Sequence, residues 1–98
     1  MFYQVSIQTR TNGDVGEAMF TFEHIAPSLA ELFILLTGDG FLLGRRYETR
    51  AEGAGARRVR RSTDCILSRD VILQVSPLPD TLRDADGTVL YVPGAAYV

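Results

Sequence analysis

The sequence GRRYETRAEGAGARRVRR, residues 44–61, predicts an arginine-rich β-hairpin at the centre of this chain. Two segments with strand-like composition, Phe41–Arg50 and Arg57–Ser62, flank an Ala- and Gly-rich tip at 51–56, as in a hairpin with a longer loop. Arginine falls on both faces of each predicted strand, and a strand charged on both faces cannot lie flat on an apolar core. We therefore expect the outer half of the hairpin, residues 45–61, to project into solvent.

The predicted hairpin is a basic belt on an acidic chain. Seven of the ten basic residues lie in it, all ten are arginine, and the chain as a whole has a net charge of -2 and a pI of about 5.2. Arginine grips carboxylates and phosphates through its planar fork. A genomic preference for arginine codons also accounts for a chain without lysine, so the clustering is better evidence for a binding surface than the residue type.

Length and composition indicate one domain spanning residues 1–98. Hydrophobic residues make up 46% of the chain, which excludes a disordered composition. The N-terminus has no signal-peptide pattern, and the longest apolar run, Leu32–Leu36, is far shorter than the ~18 residues needed to span a bilayer. We expect a soluble, cytoplasmic protein with no membrane partner.

The N-terminal segment predicts a hairpin of its own. Tyr3–Arg10 alternates apolar and polar residues, which is typical of a half-buried strand. Asn12-Gly13 is a strong turn pair, and Glu17–Ile25 has the pattern of the returning strand. Because polar and glycine residues continue to Gly16, we expect a loop longer than two residues.

One helix is predicted, from Leu29 to Thr37. Ser28 and Glu31 have the spacing of a capping box, and Gly38 is expected to be the left-handed C-cap. A stripe at helical spacing is expected to pack on one face of the sheet, and it consists of Leu29, Leu32, Phe33 and Leu36.

The C-terminal part predicts further strands. Val71–Val75 is rich in β-branched residues, and Thr81–Arg83 and Thr88–Val92 flank a turn at 84–87. Ala95–Val98 is a short apolar tail that we expect to fray. The predicted fold class is α+β: a small antiparallel sheet of five or six strands with one short helix on one face, in the order ββα, Arg-rich hairpin and C-terminal strands.

The sequence contains no pattern typical of catalysis, so we expect a non-enzymatic protein without catalytic residues. The single histidine, His24, has no second histidine or nucleophile near it in sequence, and we expect it at a strand end with a hydrogen-bond partner. The single cysteine, Cys65, lies in an apolar stretch where thiols are usually inert. The glycines at 38–44 do not match a dinucleotide fingerprint, and Asp84-Ala85-Asp86-Gly87 does not align with a calcium loop. We expect no cofactor and no metal.

Two binding hypotheses remain for the basic belt. In the first, it docks on an acidic surface of a protein or nucleoprotein partner, as an accessory or inhibitory module. In the second, the same arginines grip the phosphate backbone of nucleic acid. The acidic pI and the single aromatic residue of the belt favour the first hypothesis.

A third interpretation is a solvated hairpin that only maintains solubility. Small accessory and inhibitory proteins of phages and mobile elements are similar in size and class, although no motif here matches one. The predicted partner-binding residues are Arg45, Arg46, Tyr47, Arg50, Arg57, Arg58, Arg60 and Arg61.

Overall fold

The computed structural model describes residues 1–94, which form seven β-strands in one sheet and one α-helix. The α+β class is confirmed, but the prediction of five or six strands is wrong, because both short C-terminal segments join the sheet as separate strands. The predicted tail, Ala95–Val98, lies outside the described residues. The elements are β1 Phe2–Thr11, β2 Asp14–Glu23, α1 Leu29–Asp39, β3 Phe41–Ala51, β4 Ala56–Ser68, a 3-10 turn at Arg69–Val71, β5 Ile72–Pro77, β6 Thr81–Arg83 and β7 Val89–Tyr91.

The strands lie in the order β5-β1-β2-β3-β4-β6-β7, and the sheet is mixed rather than wholly antiparallel, because β6 runs parallel to β4. Residues 78–80 alone connect β5 to β6. Four Cα steps reach about 14 Å, whereas five strand spacings in a flat sheet span roughly 24 Å. The sheet must therefore curl, and Leu78, in the connection, is buried on the concave side.

The β1–β2 hairpin turns more tightly than expected. Thr11 pairs with Asp14, so the loop contains only Asn12 and Gly13, and residues up to Gly16 already belong to the returning strand. Both loop residues have positive φ, 53° and 85°. Positive φ at both positions is typical of a type I′ turn, whose twist matches that of the flanking strands.

The helix begins as predicted and ends later. The Ser28 hydroxyl accepts a hydrogen bond from the Glu31 N–H at 3.3 Å, which confirms the N-cap. The C-cap is Gly40, with φ 80°, rather than Gly38. Leu32 is buried, but Phe33 is 65% exposed, so the expectation that Phe33 packs on the sheet is wrong. Successive helical residues point about 100° apart, and only the line through Leu32 and Leu36 contacts the core.

Two small hydrophobic cores lie on opposite sides of the sheet. The first lies under α1, on the face that carries Phe22 and Leu42, which we call the helix face. The second lies on the opposite face, inside the curl. The buried residues of the first core are Tyr3, Val5, Phe20, Phe22, Ala26, Leu32, Leu42 and Leu67. Those of the second are Phe2, Val59, Leu78 and Leu82, with Tyr47 and Tyr91 packed against them.

Within residues 1–94, no helix combines the length and the apolar composition needed to cross a membrane.

Candidate functional site

The arginine-rich hairpin formed by β3 and β4 does not stand alone in solvent. β3 separates from β2 after Tyr47, in line with a projecting hairpin. On its other side, however, Ala56–Arg58 of β4 pairs with β6, and Val59 is buried in the second core. The tip at 52–55 and the segment 60–64 of β4 are exposed along their whole length. The hairpin therefore diverges from β1 and β2, while β6 and β7 remain paired alongside it.

A β-bulge decides which face each arginine occupies. Glu48 pairs with Arg61 and Thr49 with Val59, so Arg60 is an extra residue without a partner in β3. Regular alternation would put Arg57 and Arg61 on the same face. The bulge shifts the alternation by one residue, and Arg57 and Arg61 consequently lie on opposite faces.

The predicted partner-binding residues are thus divided between the two faces of the sheet. Four lie on the helix face beyond the end of α1, three lie on the opposite face, and Arg60 occupies the bulge. The helix-face members are Arg46, Arg50, Arg58 and Arg61, and the opposite-face members are Arg45, Tyr47 and Arg57.

The opposite-face members are engaged within the fold. Tyr47 packs against the second core and donates its hydroxyl to Glu23 at 2.7 Å. Burial, and then the hydrogen bond to Glu23, raise the pKa of Tyr47 to about 12. Arg57 donates Nε–H to the Thr49 hydroxyl at 2.7 Å and lies 3.9 Å from the Asp80 carboxylate. These residues stabilise the curled sheet rather than form a free binding surface.

Arg45, the third opposite-face member, is less enclosed. Its Nε lies 3.1 Å from the Asp64 carboxylate, and the side chains are 48% and 82% exposed, respectively. An exposed pair of this kind contributes at most about 1 kcal/mol. The Arg45 charge is nevertheless matched by a neighbour on its own face.

On the helix face, three arginines stand side by side across three strands. Arg50 pairs with Arg58, and Arg58 pairs with Arg83 of β6. With adjacent strands about 4.8 Å apart, like charges directly opposite one another are unfavourable to the fold. Arg83 is not among the predicted site residues, because it reaches the arginines only through the parallel pairing of β4 with β6, and no local sequence pattern predicts that pairing.

Two of these three side chains have partners inside the protein. Arg58 forms an ion pair with Glu52 and donates to the Ala85 carbonyl at 3.2 Å. Arg83 donates to the Gly87 carbonyl at 3.2 Å. Arg50 is exposed and, within residues 1–94, forms no ion pair. The row therefore ends in an unmatched cation next to the tip.

The rest of the helix-face cluster surrounds this row. The Arg46 guanidinium lies 4.3 Å from the centre of the Phe20 ring, and its Nε is buried without a hydrogen-bond partner. Arg61 donates to Glu48 at 2.9 Å, and this hydrogen bond lowers the pKa of Glu48. We call the five arginines of this side, Arg46, Arg50, Arg58, Arg61 and Arg83, the arginine face. Together with Glu48 and Glu52 they carry a net charge of +3.

The histidine and the cysteine line the same cavity, and the pKa of each is shifted by burial. His24 is buried, and its Nδ1 accepts a hydrogen bond from the Ala26 N–H at 2.9 Å, as expected for a strand-end histidine. Burial, and then the N-terminal ammonium, lower the pKa of His24. Burial raises the pKa of the Cys65 thiol, which disfavours the reactive thiolate. In the described part of the chain, no three His, Cys, Asp or Glu side chains are grouped so as to hold a metal ion.

Comparison of the chain with protein-family models, with curated proteins and with solved structures finds no match. Function is therefore inferred from the chain's own side chains and their arrangement.

Proposed function

We propose that this chain is a non-enzymatic binding protein that docks on an acidic surface of a protein partner through its arginine face. The observation that carries the proposal is the row of Arg50, Arg58 and Arg83 held in register across three strands. Like charges placed side by side oppose folding. A partner carboxylate bound between them relieves that repulsion, and arginine forks bind carboxylates with two parallel hydrogen bonds.

The mixed charge of the surface favours a protein over nucleic acid. Glu48 and Glu52 lie among the arginines, where they would repel a continuous line of phosphates but suit a protein surface of mixed charge. Tyr47, the single aromatic of the belt, points to the opposite face and bonds Glu23, so it offers no platform for stacking bases beside the arginines.

The proposal is non-enzymatic because the two residues best suited to chemistry are engaged otherwise. Nδ1 of His24 already accepts a backbone hydrogen bond, and the Cys65 thiol is held protonated by burial. A general base needs an open nitrogen within reach of its substrate, and a nucleophilic thiol needs a lowered pKa.

A matched pair of double variants tests the proposal. Arg50→Ser with Arg60→Ser removes one exposed charge of the arginine face and one of the adjacent bulge, whereas Arg10→Ser with Arg69→Ser removes two exposed charges elsewhere. Both variants have the same net charge, and substitutions at such sites usually change stability by less than about 0.5 kcal/mol each. We expect the first variant to bind the partner at least about tenfold more weakly than the second.

The partner for this measurement is captured from the native host after nuclease treatment and then purified. Equal affinity of the two double variants for that partner would contradict the proposal. Melting temperatures of both variants, measured alongside, separate a loss of binding from a loss of fold.

Salt dependence separates a protein partner from nucleic acid. If five arginines contacted phosphates of random-sequence duplex DNA, log K would fall with log salt at a slope of about −4.5, which is roughly five-hundredfold between 50 and 200 mM. Contacts to a protein partner release no condensed counterions, so we expect a shallower curve. Sub-micromolar binding to such DNA at physiological salt, with a slope steeper than about −3, would show that the nucleic-acid hypothesis is correct.

A further inference from the structure

The sheet is forked between β2 and β3. These two strands pair at only three positions, where Thr21–Glu23 lies opposite Arg45–Tyr47. β2 begins seven residues earlier, at Asp14, and β3 continues to Ala51. Asp14–Phe20 is paired with β1 on one side, and in the described chain it has no backbone partner on the other. The open edges of β2 and β3 thus face each other across a notch.

The edge of β2 in this notch is less protected than the outer edges of the sheet. The outer edges are short or interrupted: β7 is three residues long, and β5 ends in Pro77. The open segment of β2 contains no proline or bulge, its charged residues are Asp14 and Glu17, and it exposes Val15 and Met19 by 59% and 61%. An edge of seven residues is long enough to pair with another strand.

The two faces of the notch differ in charge. On the helix face, the Arg46 guanidinium lies over Phe20 of β2, and Arg50 follows four residues further along β3. Glu48 lies between the two arginines and is ion-paired with Arg61. On the opposite face, the notch is bordered by Met19, Thr49 and Arg57, and Arg57 donates to Thr49 and lies 3.9 Å from the Asp80 carboxylate. Arg46, Met19 and Thr49 line a cavity of about 250 Å³ at the closed end of the notch. A strand entering here meets Arg46 and Arg50, which form no ion pair within residues 1–94, with one set of alternate side chains. The other set meets Met19 and Thr49.

We propose that the partner presents an extended segment that adds to the open edge of β2 as an extra strand, with two carboxylates four residues apart next to Arg46 and Arg50. The side chain between them on the same face is uncharged, because it lies level with Glu48. The side chains of the other face are apolar or uncharged and meet Met19 and Thr49. Main-chain hydrogen bonds supply affinity in this mode of recognition, and alternate side chains supply specificity. The inference rests on the proposed function, because it assigns the form in which the acidic partner engages the same arginines.

Charge at the open end of the notch limits where the carboxylates lie. Asp14 is exposed on the helix face at the tip of β2, where it would repel a partner acid. Two acids near the closed end therefore fit, whereas a long acidic run does not. A suitable probe is the capped hexapeptide Glu-Val-Thr-Val-Glu-Val, in which the two glutamates lie four residues apart on one face of a strand, with threonine between them.

The probe is compared with peptides that keep its composition or its charge. A peptide with the two glutamates adjacent places them on opposite faces, and we expect its Kd to be at least about tenfold higher. N-methylation of the glutamate amides and of the valine amides blocks opposite edges of the peptide strand. Pairing with the single edge of β2 predicts that one of these two modifications abolishes binding and that the other preserves it.

Binding is followed by NMR, with amide hydrogen exchange as the second readout. The probe is expected to slow exchange of open-edge amides within Asp14–Phe20. Ala18→Glu places an acid on the helix face of this edge and is expected to weaken probe binding about tenfold. Leu73→Glu makes the same charge change on the exposed side of β5 and is expected to leave binding unchanged. If Ala18→Glu fails to fold, the exchange measurement on the unsubstituted protein still decides the question.

The outcomes separate this inference from the proposed function. Equal binding of all four peptides, weakened equally by Arg50→Ser, would overturn the added strand and leave the arginine face intact. Probe binding that protects β2, combined with partner binding insensitive to Arg50→Ser and Arg60→Ser, would overturn the proposed function. No probe binding at millimolar concentration, or a dimer that protects Asp14–Phe20 without peptide, would overturn the added strand.

Discussion

Replacing Gly44 with alanine is expected to destabilise the protein, because the ring of Phe22 occupies the space that a side chain would need. A Cβ at this position would lie 2.8 Å from Cε1 of Phe22, and closer still to Cζ of the same ring and to the Glu23 carbonyl oxygen. Carbon atoms in contact are normally 3.5–4.0 Å apart. Phe22 is fully buried and Glu23 belongs to the paired strand β2, so neither can move without disturbing the core or the sheet.

The expected change in the free energy of unfolding for Gly44→Ala results from two opposing effects. An added methyl group that overpacks a core costs about 1–3 kcal/mol, and the clash with a backbone atom points to the upper end. Alanine in a strand otherwise gains roughly 0.5–1 kcal/mol over glycine, because glycine loses more conformational freedom on folding. The net expectation for Gly44→Ala is a loss of about 2 kcal/mol, which lowers the melting temperature of a domain this size by roughly 8–16 °C.

Thermal and urea denaturation measure this effect, and Gly38→Ala is the matched control. Gly38 lies inside α1 with no atom within 4 Å of the added Cβ, so the same substitution is expected to stabilise by about 0.5–1 kcal/mol. Phe22→Leu should cost less in the Gly44→Ala background than in the parent, since the smaller side chain relieves the clash. A Gly44→Ala protein that melts at or above the parent temperature would refute the close approach of β2 and β3.

Three further predictions concern buried groups. Leu32→Ala should cost about 2–5 kcal/mol in urea denaturation, because Leu32 is 2% exposed, and an unchanged midpoint would refute the placement of the helix. The folded-state pKa of Tyr47 is raised from 10.0 to about 12, so the free energy of unfolding should fall as pH rises through this range. Tyr47→Phe should lack that fall, and a fall of equal size in the variant would exclude Tyr47 as its source. The folded-state pKa of His24 is lowered from 6.5, so the unfolded state takes up the proton first and stability should drop as pH falls below 6.5. His24→Asn should lack this component; an identical pH profile would contradict the assignment.

Features encoded by neighbouring residues were predictable from the sequence. The capping contact between Ser28 and Glu31 depends on atoms three residues apart, and the Asn12-Gly13 turn on two residues that tolerate positive φ. The alternation in Tyr3–Arg10 likewise reports the local environment of one strand. The sequence is compatible with two ends of the helix, because Gly38 and Gly40 both suit a left-handed cap. The bond from the Gly40 N–H to the Leu36 carbonyl identifies Gly40 as the cap.

Features that depend on distant pairing were not predictable. The position of β6 beside Ala56–Arg58 requires the curl of the whole sheet, which no segment specifies alone. For that reason the sequence does not predict that Arg83 lies beside Arg58. The exposure of Phe33 depends on how α1 is rotated over the sheet, and the helical period is compatible with more than one rotation.

The bulge at Arg60 is the feature with the largest effect on the candidate site, and paired deletions test it. Without Arg60, Val59 would follow directly on the Arg61–Glu48 pair and still lie opposite Thr49, facing the second core. Without Val59, Arg60 would take that buried position.

The two shortened chains have the same length but differ in the side chain that they bury. The chain lacking Arg60 retains the burial of valine, worth roughly 1.5–3 kcal/mol, whereas the chain lacking Val59 places a charged side chain in the core. We therefore expect the variant lacking Val59 to be less stable in urea denaturation by at least about 2 kcal/mol. Equal stability of the two variants would show that the extra residue lies elsewhere in β4. The arginines between that residue and Arg60 would then lie on the face opposite to the one assigned to them.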